Sequence, residues 1–202
     1  MCAKYKEKIM VNVIDTRNSV LNTFLSEIRA VDIQQDRMRF RRNLERVGEV
    51  MAYEISKTFD YSARTIQTPI NPISVMLPRQ EVVIATVLRA GLPFHQGFLN
   101  YFDHAGSAFV SARRAYSRVE GQIEIRFDSV YTPDLTGKQL LLVDPMLATG
   151  KSLVITYREL LKQGSLPAQY AYRFSHCQPA RCGICGKRIG RRAVDFMDSC
   201  SG

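Results

Sequence analysis

No stretch of this 202-residue chain reaches the roughly 20 continuous apolar residues that a membrane-spanning helix requires. Helical spans are therefore excluded. The opening segment, Met1 to Met10, carries three lysines with no apolar run behind them. It does not match a secretory leader, and a soluble cytoplasmic protein is the expectation. Cysteine is scarce and odd in number: Cys2, Cys177, Cys182, Cys185 and Cys200. An odd set without a leader argues against a disulfide framework. Internal repeats and low-complexity tracts are also lacking, so neither a solenoid nor a structureless linker is expected.

What is present suits one folded unit. With 46% hydrophobic and 23% charged residues, the chain is long enough to bury a sizeable core. Its formal net charge of +9 and pI near 9.5 favour anionic partners: nucleic acid, a membrane surface or a phosphorylated small molecule. The placement of the charge narrows this. From Gln169 onward, Arg173, Arg181, Lys187, Arg188, Arg191 and Arg192 are opposed only by Asp195 and Asp198. Four of the nine net charges and four of the five cysteines sit in that tail, and the rest of the chain is only mildly basic.

Between Asp36 and Ser56, Met38, Leu44, Val47, Met51 and Ile55 recur near a helical spacing. They predict an amphipathic helix on which Arg37, Arg39, Arg41, Arg42 and Arg46 form a solvated face. Thr68 to Pro78 is Pro-rich and reads as extended chain and turns. Val82 to Leu88 is an almost unbroken apolar run rich in β-branched residues, followed by Arg89-Ala90-Gly91 and a helical stretch from Pro93 to Tyr101. Ala108 to Ala112 is a second short strand. Ile123 to Tyr131 partly alternates, with Ile123, Ile125 and Phe127 opposed to Glu124, Arg126 and Asp128, a strand with one wet face. After the Thr136-Gly137 turn, Gln139 to Val143 reads as another buried strand, and Ser152 to Gln163 as a helix ended by Gly164. Buried strands alternating with helices predict the α/β class, with a mainly parallel sheet flanked by helices.

Leu140 to Ser152 carries the chemistry: strand, acidic residue, a short loop with Thr149-Gly150, then helix. In an open parallel sheet, ligands bind at the carboxyl ends of the strands. A helix beginning near Ser152 presents free N–H groups and the positive end of its dipole. Thr149 and Ser152 add hydroxyl donors and Gly150 admits close approach, so the segment reads as a phosphate cradle. Asp144, at the strand end, suits the hydroxyls of a sugar, which makes a phosphorylated sugar a better ligand than bare phosphate. Gly150-Lys151-Ser152 imitates the end of a Walker A loop, but the glycine required five residues before Gly150 is Pro145. Alone, the Thr-Gly-x-Ser pattern would describe no more than a capped strand-to-helix turn.

It does not stand alone. Val143 to Ser152, with its Asp-Pro-Met-Leu-Ala-Thr-Gly core, resembles the phosphoribosyl pyrophosphate (PRPP) loop of the type I phosphoribosyltransferases, in the form found in the uracil branch. Leu88-Arg89-Ala90-Gly91 resembles that branch's other signature. The helix with Phe40-Arg41 and Met51-Ala52-Tyr53-Glu54 resembles the N-terminal arm, and Ile123 to Asp134 the strand hairpin before the loop. The resemblance runs continuously from about Asn18 to Leu166. It implies a type I phosphoribosyltransferase-like fold with a β-hairpin extension, in which residues 1–167 form the core and a helical arm. It also implies transfer of 5-phosphoribosyl from PRPP to uracil, giving UMP and pyrophosphate, with Mg²⁺ accompanying PRPP. Residue by residue, Asp144, Pro145, Met146, Leu147, Ala148, Thr149, Gly150, Lys151 and Ser152 would hold the ribose and its 5-phosphate. Arg89 would contact the pyrophosphate, and Arg89 with Asp144 would be the catalytic pair. The family's second arginine falls on Arg113 or Arg114, with Arg114 preferred. Breaking the C1–O bond gives the ribose oxocarbenium character and loads negative charge on the leaving group. Cations there stabilise that charge as it develops, so neither a side-chain nucleophile nor a protein-built metal cage is needed. Lys151 stands where the family commonly has glycine. PRPP and uracil are the implied partners and a homo-oligomer, a dimer, the implied assembly; nucleic acid and membrane are not expected.

In this family the end of the chain supplies the uracil site, around a Gly-Asp-Ala stretch after an Ile-Val-Pro-Gly segment. Neither follows Pro167, so no residue is assigned to uracil. Residues 168–202 form instead a Cys- and Arg-rich tail. Cys177-x4-Cys182-x2-Cys185, with His176 and Cys200, offers half of a zinc site without a matching second pair, and zinc is not expected. A change of reading frame accounts for the tail better. Permitted codons for Ala168 to Lys187, shifted by one base, spell Arg-Ser-Met-His-Ile-Val-Ser-Ala-Ile-Ala-Ser-Pro-Arg-Gly-Val-Glu-Tyr-Val-Gly, which resembles the family's next strand and helix. An out-of-frame tail implies impaired uracil transfer. Two other functions are distinguishable: an RNA-binding regulatory relative, marked by salt-dependent binding without turnover, and a zinc-binding tail module, marked by metal in the purified protein.

Overall fold

The computed structural model describes residues 18–116, 123–147, 151–163, 167 and 169–177. Helix α1 (Val20–Arg29) starts at Ser19, whose hydroxyl accepts from the Leu21 amide, and it buries Leu21 and Leu25. Helix α2 (Arg37–Ser56) begins where the apolar spacing predicts. The Asp36 carboxylate accepts from the amides of Met38 and Arg39, both at 3.0 Å, and so satisfies two of the four donors a helix start leaves unpaired. Leu44, Val47, Met51 and Ile55 are buried, whereas Met38, in the first turn, stays 66% exposed. The arginines of α2 are not all idle surface. Glu27 of α1 accepts from Asn43 Nδ2 at 2.6 Å and Arg39 Nη1 at 3.2 Å. Arg46 donates to Asn43 Oδ1 and lies over the Phe24 ring, 5.2 Å from its centroid. Accepting from Asn43, with Arg39 alongside, holds the Glu27 carboxyl below the usual carboxylate value.

The Pro-rich passage resolves into half of a hairpin. Strands β1 (Tyr61–Gln67) and β2 (Pro72–Pro78) pair antiparallel as a separate two-stranded sheet, with Ile66 opposite Ile73. Thr68 holds the turn by accepting from the Ile70 and Asn71 amides; Pro69 lies in the turn, and Pro72 and Pro78 stand at the two ends of β2, where a missing donor is tolerated.

The main sheet contains β3 (Val82–Leu88), β4 (Gly106–Tyr116), β5 (Ile123–Tyr131), β6 (Gln139–Leu147) and β7 (Gln169–Cys177), in the order β5-β4-β3-β6-β7. β3 pairs in parallel with β4 and β6, and β6 with β7; β5 runs antiparallel to β4. Helices α3 (Leu92–Leu99) and α4 (Lys151–Leu161) cover opposite faces. On one face Val82, Ile84, Leu141 and Val143 pack with Phe94, Phe98, Val47, Met51 and Ile55. On the other, Val83, Ala85, Ala108, Val110, Leu140 and Leu142 pack with Tyr157 and Leu160. Two dry faces explain why β3 reads as a continuous apolar run rather than an alternating one. Helix α2 comes close to α3 at Gly48 and Gly97. A Cβ on Gly48 would lie 2.5 Å from the Phe94 carbonyl oxygen, and one on Gly97 would lie 2.9 Å from the Glu49 amide nitrogen.

Three predicted boundaries move. β4 continues to Tyr116, so Arg113 and Arg114 lie inside the strand rather than after it, opposite Arg126 and Ile125. The antiparallel partner β5 prolongs β4 beyond the reach of β3, whose pairing with β4 ends at Leu88–Ser111. β6 runs on to Leu147, so Pro145, Met146 and Leu147 are strand rather than loop. Its pairing with β3 stops at Val143, and Pro145 therefore removes no donor from that ladder. The sheet also crosses the expected division at residue 167, because β7 pairs with β6 from Gln139–Gln169 to Leu147–Cys177. Cys182, Cys185 and Cys200 lie outside the described residues. Among the described residues no helix is long and apolar enough to cross a membrane.

Candidate active site at the carboxyl ends of the parallel strands

Thr86 of β3 is in register with Val143 of β6, and Leu88 with Ser111 of β4. Of these three neighbouring strands, about 4.8 Å apart, β3 ends at this level while β4 and β6 continue as strand beyond it. Leu88-Arg89-Ala90-Gly91 leaves β3 there, Asp144 follows Val143 on β6, and Arg113 and Arg114 follow Ser111 on β4. The turn after β3 is tight. The Gly91 amide donates to the Val87 carbonyl at 3.3 Å, Leu92 to Arg89 at 3.3 Å, and His95 to Gly91 at 2.9 Å, which starts α3. The Leu88–Arg89 peptide is cis. Arg89 is exposed, and its guanidinium makes no hydrogen bond or ion pair among the described residues. Asp144 is half-buried. A cation and a carboxylate thus lie on neighbouring segments toward the same end of the sheet.

Helix α4 begins at Lys151, one residue before the expected start, and is the next element after β6. Its N-terminus brings unpaired amides and the positive end of the helix dipole to that side of the sheet. Ala148, Thr149 and Gly150 lie outside the described residues, and for Lys151 and Ser152 the structure gives the helical backbone alone.

Two residues near the site were not singled out from sequence. The Thr86 hydroxyl, on a residue only 1% exposed, donates to the Val143 carbonyl at 2.9 Å. A Cβ on Gly91 would overlap that same oxygen, so the turn closes against Thr86 only because residue 91 is glycine. The available signal was a lone hydroxyl in an otherwise apolar strand. His95 is also buried, 5.0 Å from the Phe109 ring, and its Nε2 has no partner among the described residues. Burial pushes its pKa below the ordinary 6.5.

Two surface depressions, of about 730 and 540 Å³, lie elsewhere. Gly106, Tyr131, Thr136 and Gln163 help line the first, and Asp60, Arg79, Gln80 and Lys138 the second. Both sit at the amino ends of the parallel strands, the end opposite to where such sheets bind ligands. Among the described residues no group of three or more His, Cys, Asp or Glu side chains could hold a metal.

The uracil phosphoribosyltransferase family model matches residues 15–169. A uracil phosphoribosyltransferase of Porphyromonas gingivalis is 52% identical over 153 residues, which is 75% of this chain and 70% of that one. One from Pyrococcus furiosus is 36% identical over 144 residues, 70% of this chain and 60% of that one. The solved structure of the AQ2163 protein from Aquifex aeolicus superposes with a TM-score of 0.70 at 26% identity, covering 85% of this chain and 77% of that one. The matched segment contains β3, β6, α4 and both loop signatures. With its parallel sheet and these strand ends, the chain belongs to the uracil phosphoribosyltransferase family.

Proposed function

We propose that this chain handles PRPP at the carboxyl ends of β3, β4 and β6, in the reaction that passes 5-phosphoribosyl to uracil and yields UMP and pyrophosphate. The observation that carries the reading is the register of Thr86 with Val143. It makes the strand that leads into the arginine loop a direct neighbour of the strand that carries Asp144. Arg89 and Arg114 take the diphosphate, Asp144 the ribose hydroxyls, and residues 145–152 the 5-phosphate. Charge developing on the departing pyrophosphate is met by fixed cations, which is where such a site lowers its barrier.

A Mg²⁺ ion fits this chemistry. Mg²⁺ binds through one or two carboxylates together with substrate phosphates rather than in an all-protein cage, and Asp144 is the residue that would hold it. When bound, the ion supplies further neutralisation of the diphosphate. The protein is read as cytoplasmic and dimeric; the exposed apolar surface of the β1–β2 hairpin supports an assembly of two copies.

The tail limits the activity. The family match ends at residue 169, and the Cys- and Arg-rich sequence beyond reads as an out-of-frame product without the uracil-binding segment. The expected behaviour is PRPP binding in the presence of Mg²⁺ with weak UMP formation. Titration calorimetry with PRPP and a radiolabelled-uracil turnover assay check both halves. Rapid UMP formation refutes the loss of the base site. Absence of PRPP affinity in a folded sample refutes the transferase reading itself.

A further inference from the structure

The geometry points to Thr86 as a positioning residue that locks the arginine loop after β3 and the aspartate strand β6 into one register. This rests on the transferase reading and deepens it. One oxygen atom does both jobs. Thr86 Oγ1 donates to the carbonyl of Val143, 57 residues away in sequence and adjacent to Asp144, at 2.9 Å and wholly buried. The same oxygen lies where a Cβ of Gly91 would be, so the backbone of the arginine loop is packed directly against it. The rest of β3 is apolar, and valine would fill the Thr86 volume equally well. Burying a hydroxyl is unfavourable unless it is hydrogen-bonded, so this one is a specific joint rather than packing material. Movement of the Arg89 loop would leave a gap against the oxygen where Gly91 packs, and sliding of β6 would remove the hydroxyl's acceptor.

The consequence is a coupling between two half-sites. PRPP spans both the arginine loop and the aspartate strand, whereas inorganic pyrophosphate or ribose 5-phosphate engages one of them. A fault in the joint therefore penalises the spanning ligand more than either fragment. The test uses the full chain with Mg²⁺ and titrates all three ligands. Thr86→Val is expected to weaken PRPP about fivefold, the value of one lost buried hydrogen bond. Each fragment should shift less than about twofold by the same reasoning. Thr86→Ser, which keeps the hydroxyl, restores PRPP affinity. If Thr86→Val fails to fold, Thr86→Ala carries the same comparison. Equal weakening of PRPP and both fragments, unchanged PRPP affinity, or failure of serine to rescue overturns the inference. A folded wild-type chain that does not bind PRPP overturns the transferase reading, and this inference with it.

Discussion

Arg89 holds its charge just beyond the end of a strand in which only Thr86 is polar, and among the described residues it has no partner to break before meeting a dianion. A charge-assisted hydrogen bond is worth about 1.5–3 kcal/mol, so Arg89→Ala should weaken PRPP by about 10- to 100-fold, measured by calorimetry with Mg²⁺. Arg89→Lys should recover only part of this, since ammonium lacks the bidentate fork. His95 makes a different prediction. Its folded pKa lies below the ordinary 6.5 because burial disfavours the charged ring. Below pH about 6.5 the unfolded chain therefore takes up a proton that the folded chain resists, and stability is lost as pH falls toward the folded value; above that window this residue contributes no pH dependence. Thermal unfolding followed between pH 5.5 and 7.5 should show Tm falling on the acid side, by about 2–4 °C per kcal/mol lost. His95→Phe, which can still pack against Phe109, should flatten that slope. An unchanged slope in the variant would show that other groups set it.

At the scale of elements, the contact between α2 and α3 is the most exacting. Gly97→Ala places a methyl against the Glu45 carbonyl and the Glu49 amide, both backbone atoms of α2. Backbone cannot turn aside as a side chain can, and a cost of about 1–3 kcal/mol is expected, read as a lower midpoint in urea with an unchanged slope. Most elements were legible in the sequence because each carries a local cause. β3 is a β-branched run buried on both faces, α2 has an aspartate cap and helical spacing, and the sequence between β6 and α4 has an acidic residue and a Thr-Gly pair. Apart from α1, whose Ser19 cap is local, and the hairpin, what escaped was set by distant partners. Arg113 and Arg114 belong to a strand because β5 lies beside them. Pro145 continues a strand because β3 has already ended. The β1–β2 hairpin was hidden because prolines at strand ends read as turn signals. The proposed site reads from the sequence as loop signatures, but the joint through Thr86 does not. A single threonine among valines says nothing of a carbonyl 57 residues away.

For the whole molecule, the hairpin and the outer strand set the constraints. A lone two-stranded ribbon is marginal in water, and this one exposes Ile70 at 87%, Met76 at 60% and the facing pair Ile66 and Ile73. In the proposed dimer, a second copy covering it would give these residues the burial they lack. Ile66→Asp combined with Ile73→Asp should convert dimer to monomer in sedimentation velocity while leaving the far-ultraviolet spectrum intact; a wild-type monomer at micromolar concentration removes this assignment. The main sheet has the converse problem at its other margin. β6 is bordered on one side by β3 and on the other by β7, which is made from Gln169–Cys177. If β7 peels away, the strand bearing Asp144 becomes an open border of unpaired peptide groups, and such borders recruit other chains. Self-association through that border, rather than simple unfolding, is then the route by which the protein would be lost from solution.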